Sequence, residues 1–328
     1  MSCESVHRAL LEAEGTYLSG QELSRRLGIS RAAVWKAVET LRRRGYGIEA
    51  RTGRGYRLQS EPDRLDRRAV AAAMAAPREN WTVLEQVDST NTACKRLAAE
   101  GAPDGTVVMA DWQTAGKGRR GRSFLSPRGM GLYLSVLWRP ECPPERLLPL
   151  TALSAVAACR AVERVGGVRP RIKWPNDLVL EGRKVAGILT ELSVEGESGH
   201  VEYVVAGIGV NCRQQAEDFP PELREMAGSL DMALPRQVSR AALAAALTEE
   251  LDTLRREILE DPERWLPEYA AACLTVGSPV QVVRGEERVP AEAEGIDESF
   301  GLVVRYEDGT RETLRAGEVS VRGLYGYV

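Results

Sequence analysis

Gln113-Thr-Ala-Gly-Lys-Gly-Arg-Arg-Gly-Arg122 puts three glycines and four cations into ten residues, between apolar runs at 107–110 and 132–138 that read as strands. Glycine lets a backbone take positive φ and approach a ligand closely. Exposed N–H groups beside Lys117, Arg119, Arg120 and Arg122 suit phosphate or another anion. The Gly-Lys-Ser/Thr ending of a nucleotide P-loop is absent. Taken alone, the stretch equally suits a solvated basic turn or a nucleic-acid patch.

Composition narrows the classes. With 43% hydrophobic residues in 328, there is material for a sizeable core, and the length predicts two or three domains. No apolar run reaches the roughly 18 residues of a membrane helix. Met1-Ser-Cys-Glu-Ser-Val-His7 lacks the layout of a signal peptide. Cys3, Cys94, Cys142, Cys159, Cys212 and Cys273 are scattered without a Cys-x-x-Cys pair, which predicts free thiols and a cytoplasmic protein rather than a disulfide framework or zinc site. His7 and His200 lie outside every motif, so a histidine triad or histidine metal site is not expected. Of 44 basic residues only five are lysines, and Lys117, Lys173 and Lys184 fall in the polar motifs. The net charge of −3 divides unevenly: residues 1–60 carry eleven Lys/Arg against six Asp/Glu, or +5, leaving −8 for the rest. A basic head on an acidic body predicts that the head meets nucleic acid.

The head has the matching pattern. Ser19-Gly-Gln-Glu22 is a capping box, Leu23 and Leu27 mark a short helix stopped at Gly28, and Ser30 starts a second helix. Val34, Val38 and Leu41 form its apolar stripe, with Arg31, Trp35, Lys36 and Glu39 off it. This predicts a helix-turn-helix over residues 20–39, opening at Gly20 and closing at Glu39. Residues 47–58 read as a hairpin with Arg54 at a glycine-flanked tip, the wing of a winged helix. Arg31, Lys36 and Arg54 are the candidate DNA contacts. A small protein-interaction module with solvated arginines is the alternative. Ser60-Glu-Pro-Asp63 reads as a linker, giving domains 1–62, 63–272 and 273–328.

From residue 67 strand and helix patterns alternate. Apolar strands are expected at 107–110, 132–138, 171–174, 184–192 and 200–210, and helices at 143–165, 237–259 and 262–272. That predicts an α+β domain with a mixed, antiparallel-rich sheet and helices mainly on one face. Short strands at 280–284, 292–296, 302–306 and 318–322, with the turn Asp308-Gly309, predict a small β domain at the end of the chain.

Three further segments accompany the glycine-rich loop: Val87-Asp-Ser-Thr-Asn-Thr92, Lys173-Trp-Pro-Asn-Asp-Leu178 and Lys184-Val-Ala-Gly-Ile-Leu-Thr-Glu191. In this order, behind a DNA-binding module, they resemble the biotin–protein ligases of the bifunctional bacterial type that doubles as the biotin operon repressor. The resemblance runs from about residue 17 to the C-terminus. It implies a winged helix-turn-helix, a class II synthetase-like catalytic domain and a small SH3-like β-barrel. It also implies activation of biotin by ATP to biotinyl-5′-AMP, with Mg2+, and transfer to a lysine of the biotin carboxyl carrier protein of acetyl-CoA carboxylase. Operator DNA and a ligand-promoted homodimer are the further implied partners.

By the same resemblance, Ser89, Thr90, Asn91 and Gln113 are expected at biotin, and Lys117, Gly118 and Arg119 in the loop over the ligand. Lysine at 117, where many relatives have arginine, leaves a bidentate contact there open. Lys184 is expected at the carboxylate–phosphate junction, Asn176 and Asn211 at the nucleotide, and Asp177 near the incoming amine. Lys184, Arg119 and Asp177 are the catalytic candidates. Local alternatives remain: a helix N-cap at Asp88-Ser-Thr-Asn91, an Asx turn at Asn176-Asp177 and a surface lysine at 184. The rival functions are a lipoate–protein ligase, a catalytically dead ligand-sensing repressor and a ligase whose head has lost its operator.

Overall fold

The computed structural model describes residues 2–43, 46–60, 62–315 and 320–323. Their contacts fall into two compact units, Met1–Asp63 and Arg64–Val328.

The first unit contains α1 (Ser2–Glu12), α2 (Gly20–Leu27), α3 (Arg31–Arg43) and the hairpin β1 (Gly47–Arg51)–β2 (Gly55–Ser60). Ser19 caps α2 by accepting from Glu22 N at 3.0 Å, and Gly28 ends it in the left-handed region. α1 was not expected from the sequence, yet Val6, Ala9 and Leu10 are buried at helical spacing and complete a core with Leu23, Val34, Val38 and Leu41. Arg31, Lys36 and Arg54 are exposed, as is Trp35.

Leu18 and Tyr56 exchange backbone hydrogen bonds of 2.9 Å, adding a third segment to the wing. Gly55 permits this. Its φ is +106°, and a Cβ there would lie 2.1 Å from the Leu18 carbonyl oxygen. Gly55→Ala is therefore expected to destabilise the wing by about 2–3 kcal/mol through strain and lost bonding. Faster amide exchange at Leu18 and Tyr56 is the readout. Gly53→Ala shares the left-handed strain, with φ +76°, but its Cβ would meet nothing within 4 Å, so it should disturb those amides less; similar exchange in the two variants would mean that the clash with Leu18 does not matter.

The second unit opens with α4 (Arg67–Ala73). Its sheet comprises β3 (Trp81–Leu84), β4 (Thr106–Ala110), β5 (Gly131–Trp138), β6 (Arg171–Lys173), β7 (Asp177–Leu180), β8 (Arg183–Val194) and β9 (Val201–Asn211). Among the described residues the order is β3-β4-β5-β9-β8-β7-β6, parallel for β3–β4 and antiparallel elsewhere. Helices α5 (Thr90–Ala99), α6 (Leu150–Gly166), α7 (Leu230–Ala233), α8 (Arg240–Glu257) and α9 (Leu266–Ala272) surround it.

β5 is buried along its whole length, and strand alternation divides its side chains between two faces. Leu132, Leu134, Val136 and Trp138 join the main core with α6 and α8. Leu137 joins the smaller cluster under α5. The helix expected over 143–165 is broken: a 3-10 turn at Pro144–Leu147 precedes α6, with Pro149 at the break. Proline there has no N–H to continue the ladder.

β10 (Pro279–Arg284), β11 (Glu287–Ile296), β12 (Leu302–Tyr306), β13 (Arg311–Leu314) and β14 (Ser320–Gly323) form an antiparallel sheet in the order β13-β12-β11-β10-β14. β13 was missed in the sequence, and residues 318–319 of the expected last strand lie outside the described residues. Val280, Val282, Ala293, Leu302 and Val304 bury into the main core, so this sheet shares one interior with the larger one.

Candidate functional site

The face of the larger sheet that carries α5 also carries an open cleft, whose empty space including the solvent at its mouth is about 470 Å3. Two groups of polar residues line it. The first is built on the N-terminus of α5. Ser89 occupies the N-cap position with no side-chain capping bond. The first turn is served instead by Gln113, 23 residues downstream, whose Oε1 accepts from Thr90 N at 2.8 Å and Thr90 Oγ1 at 3.1 Å. Gln113 Nε2 in turn donates to Ser126 Oγ at 2.8 Å. Ser135 of β5 reaches up from the sheet, its hydroxyl 2.7 Å from Thr90 Oγ1 and 2.6 Å from Asn91 Oδ1. Ser89, Thr90 and Asn91 are all nearly inaccessible, so these polar atoms are committed or aimed into the cleft.

The second group is cationic. The glycine-rich loop closes on itself: Gly118 N donates to Arg122 O at 2.7 Å and Phe124 N to Gly116 O at 2.9 Å. Lys117, Gly118 and Arg119 thereby line the cleft. Arg119 Nη1 donates to Asn176 Oδ1 at 2.9 Å, and Asn176 Nδ2 donates to Ile188 O at 3.0 Å. Lys184 Nζ lies 2.5 Å from Asp177 Oδ1. Burial lowers the Arg119 pKa from the usual guanidinium value; Asp177 opposes that shift, and Arg120 and Arg122 add to it. Three cations, Lys117, Arg119 and Lys184, converge on one cleft, with Asp177 paired to Lys184, an arrangement that suits a polyanion.

Asn176 ends the turn between β6 and β7, whose Trp174-Pro175 peptide is cis, and Asp177 opens β7. Trp174 N donates to Thr275 Oγ1 at 3.0 Å and Trp174 Nε1 to Phe300 O at 3.3 Å. The small C-terminal sheet thus braces the turn that presents them.

Glycines on the strands make the room. At Gly207 of β9 a Cβ would fall 1.9 Å from Asn91 Oδ1, and at Gly209 it would fall 2.6 Å from the Phe124 ring. Phe124 and Tyr133, whose rings meet edge to face at 6.4 Å, supply apolar wall. Burial pushes the Tyr133 phenol well above its ordinary range, so it stays neutral while its hydroxyl donates to Pro127 O. No group of three or more His, Cys, Asp or Glu side chains converges as a metal site among the described residues.

A family model described as the Biotin/lipoate A/B protein ligase family matches residues 83–211, which include every residue lining the cleft. The bifunctional ligase/repressor BirA of Bacillus spizizenii is 34% identical over 310 residues, spanning 93% of this chain and 94% of its own length. The chain belongs to the bifunctional ligase/repressor family of biotin protein ligases. Models of an HTH domain and of the biotin protein ligase C terminal domain match residues 4–57 and 275–322. The Escherichia coli (strain K12) bifunctional ligase/repressor BirA is 32% identical over 318 residues, 95% of each chain. The solved biotin protein ligase from Aquifex aeolicus in complex with biotin and ATP superposes with a TM-score of 0.63 at 28% identity, covering 75% of this chain and all of that one.

Within this ligase fold the sequence motifs converge with one departure. Ser89, Thr90, Asn91, Gln113, Lys117, Gly118, Arg119, Asn176 and Lys184 line the cleft, and Asp177 reaches it through Lys184. Asn211 does not line it. Its Nδ2 donates to Gly228 O at 2.9 Å and its Oδ1 accepts from Gln214 Nε2 at 3.2 Å. Gly228 N in turn donates to Lys184 O, so Asn211 props the segment beside Lys184 rather than presenting its amide to the cleft. Phe124, Tyr133, Ser135 and Gly207 were not singled out in the sequence; the Gly-Ile-Gly alternation at 207–209 was the available signal, one strand face stripped of side chains.

Proposed function

We propose that this chain activates biotin with ATP to biotinyl-5′-AMP and passes the biotinyl group to a lysine of the biotin carboxyl carrier protein of acetyl-CoA carboxylase. The observation that carries this reading is a single cleft pairing small neutral hydrogen-bonding groups with three cations. A ureido ring asks for the first and a triphosphate for the second. A carboxylate is a poor electrophile, so its oxygen attacks the α-phosphorus of ATP and pyrophosphate leaves. The acceptor amine then attacks the acyl carbon of the mixed anhydride, and AMP leaves. Neither step needs a covalent enzyme intermediate.

In this reading Ser89, Thr90, Asn91 and Gln113 hold biotin. Lys184 stabilises charge where carboxylate and phosphate meet, Lys117 and Arg119 close over the adenylate, and Asn176 orients the nucleotide side. Asp177 sits on Lys184 and so lies where an incoming lysine amine would shed its proton. Mg2+ enters on the phosphates of ATP rather than in a protein cage. Isotope exchange between pyrophosphate and ATP tests the reading: exchange that requires biotin supports it, while exchange that requires lipoate, or none at all, overturns it.

The head makes the protein a biotinyl-AMP-dependent repressor of biotin synthesis genes. Exposed Arg31, Lys36 and Arg54 are the proposed operator contacts. Palindromic operators ask for two-fold pairing, so ordering the ligand loop is proposed to favour a homodimer. Linkage then requires ligand and operator to strengthen each other's binding by the same factor. Sedimentation with and without biotin plus ATP should show a shift from monomer to dimer. An unchanged mass together with unchanged operator affinity would leave a ligase with an uncoupled head. No described helix is long and apolar enough to cross a membrane.

A further inference from the structure

The second helix of the helix-turn-helix holds a large aromatic side chain out in solvent. Trp35 is 59% exposed, more than any other large apolar side chain among the described residues. It is the fifth residue of α3 and lies outside the stripe of Val34, Ala37, Val38 and Leu41 that packs the head. Ala32, three residues back on the same face, is too short to cover the indole. Arg31, one turn back, and Lys36, next along the chain, are exposed and make no ion pair among the described residues. The acid one turn on, Glu39, is already engaged by Arg42 at 2.7 Å. The indole therefore stands between two uncommitted cations.

We infer that Trp35 is a sequence-reading residue of the head, and that its indole packs on the 5-methyl group of a thymine in the major groove of the operator. In a helix-turn-helix the second helix enters the major groove with its N-terminal residues at the base edges. α3 begins at Arg31, which puts Trp35 within its first turn and a half. The flanking cations suit phosphates, which set the register but carry no sequence information. An indole offers a broad apolar face and one N–H donor, with no acceptor. Thymine alone presents an apolar group in that groove, its methyl, beside the O4 acceptor. Cytosine and adenine present amino donors that an indole cannot receive, and guanine presents acceptors without an apolar group. A protein partner would ask for a wider apolar patch around the indole. Here its neighbours are Arg31, Ala32 and Lys36, on a head whose residues 1–60 carry +5, which favours a polyanion.

The inference rests on the repressor reading of the head and names one of its base contacts. Duplexes selected from a random pool by the full-length chain with biotin and ATP supply the site. Each thymine is then replaced in turn by uracil, which removes the 5-methyl group and nothing else. The parent should lose about four-fold in affinity at one thymine of each half-site, the worth of one covered methyl. Trp35→Ala should bind the thymine and uracil duplexes alike, with the slope of log affinity against log salt unchanged, since the indole neutralises no phosphate. Arg31→Ala should do the reverse, lowering the slope by about one and keeping the thymine preference. A preference that survives in Trp35→Ala, or that the parent shows at no thymine, overturns the inference. A preference lost equally in Arg31→Ala would assign it to the seating of the whole helix and overturn it too. Should Trp35→Ala bind no duplex, Trp35→Phe decides: the phenyl ring keeps an apolar face and should keep the preference, and equal binding of thymine and uracil ends the inference. A parent that selects no site with biotin and ATP removes the repressor reading itself, a result distinct from all of these.

Discussion

Lys184→Ala is expected to slow adenylate formation by about 10²- to 10³-fold while the protein stays folded. Lys184 holds its ammonium in the cleft beside Asp177. Negative charge at the carboxylate–phosphate junction is greatest in the transition state, so a fixed cation there acts on rate more than on ground-state binding. The lost stabilisation is on the order of 2–4 kcal/mol. Folding should survive, because the pair is partly solvated and such pairs contribute only about 0–1 kcal/mol to stability. Single-turnover formation of biotinyl-AMP in rapid quench gives the rate, and a thermal melt gives the stability. A near-parental single-turnover rate would remove Lys184 from the chemistry.

Gly207→Ala is expected to be nearly as damaging, through binding rather than rate. The added Cβ would sit 1.9 Å from Asn91 Oδ1 and 2.8 Å from its Cγ. Gly207 lies in the middle of β9, paired to Ser135 on one side and Leu189 on the other, so its backbone has little freedom to retreat. Asn91 must leave its place between the Ser135 hydroxyl and the Glu191 carboxylate, 2.6 Å and 2.8 Å away, taking the order of the Thr90 end of the cleft with it. Overpacking of this kind costs about 1–3 kcal/mol of stability. Biotin affinity should fall at least as far, to roughly one-tenth or one-hundredth of the parent's. Gly196→Ala is the control, since nothing lies within 4 Å of a Cβ there. Calorimetry with biotin checks both, and tight binding by Gly207→Ala would mean that Asn91 is dispensable.

Much of this architecture was legible because local chemistry announced it. Ser19 and Gly28 bracket α2 through a cap and a left-handed stop that any reader of helix ends can find. The glycine-rich loop, the α5 entry and the turn after Trp174 each carry polar residues where a strand or helix ends, and each lies at the cleft. What escaped was built across elements. Gln113 caps α5 from 23 residues away, so the hydroxyl of Ser89, which local rules would spend on a cap, is left to the cleft. Ser135 sits inside a wholly buried strand, where nothing local marks it as polar lining of a cleft. Glu191 closes its motif as an ordinary strand residue, and only pairing with α5 brings it to Asn91 and Lys95. Asn211 errs in the other direction: an asparagine after Gly-Ile-Gly-Val suggested a ligand contact, yet tertiary partners claim its amide. Pairwise geometry of this kind has no one-dimensional signature.

The central claim is that one cleft both makes the adenylate and delivers its acyl group. Its most direct test is mass spectrometry of an isolated biotin carboxyl carrier domain after incubation with the full-length protein, ATP, Mg2+ and either biotin or lipoate. The expected result is a gain of one biotinyl group on one lysine, dependent on ATP and slowed about 10²- to 10³-fold by Lys184→Ala. No gain with biotin, or a lipoyl group gained in its place, would contradict it.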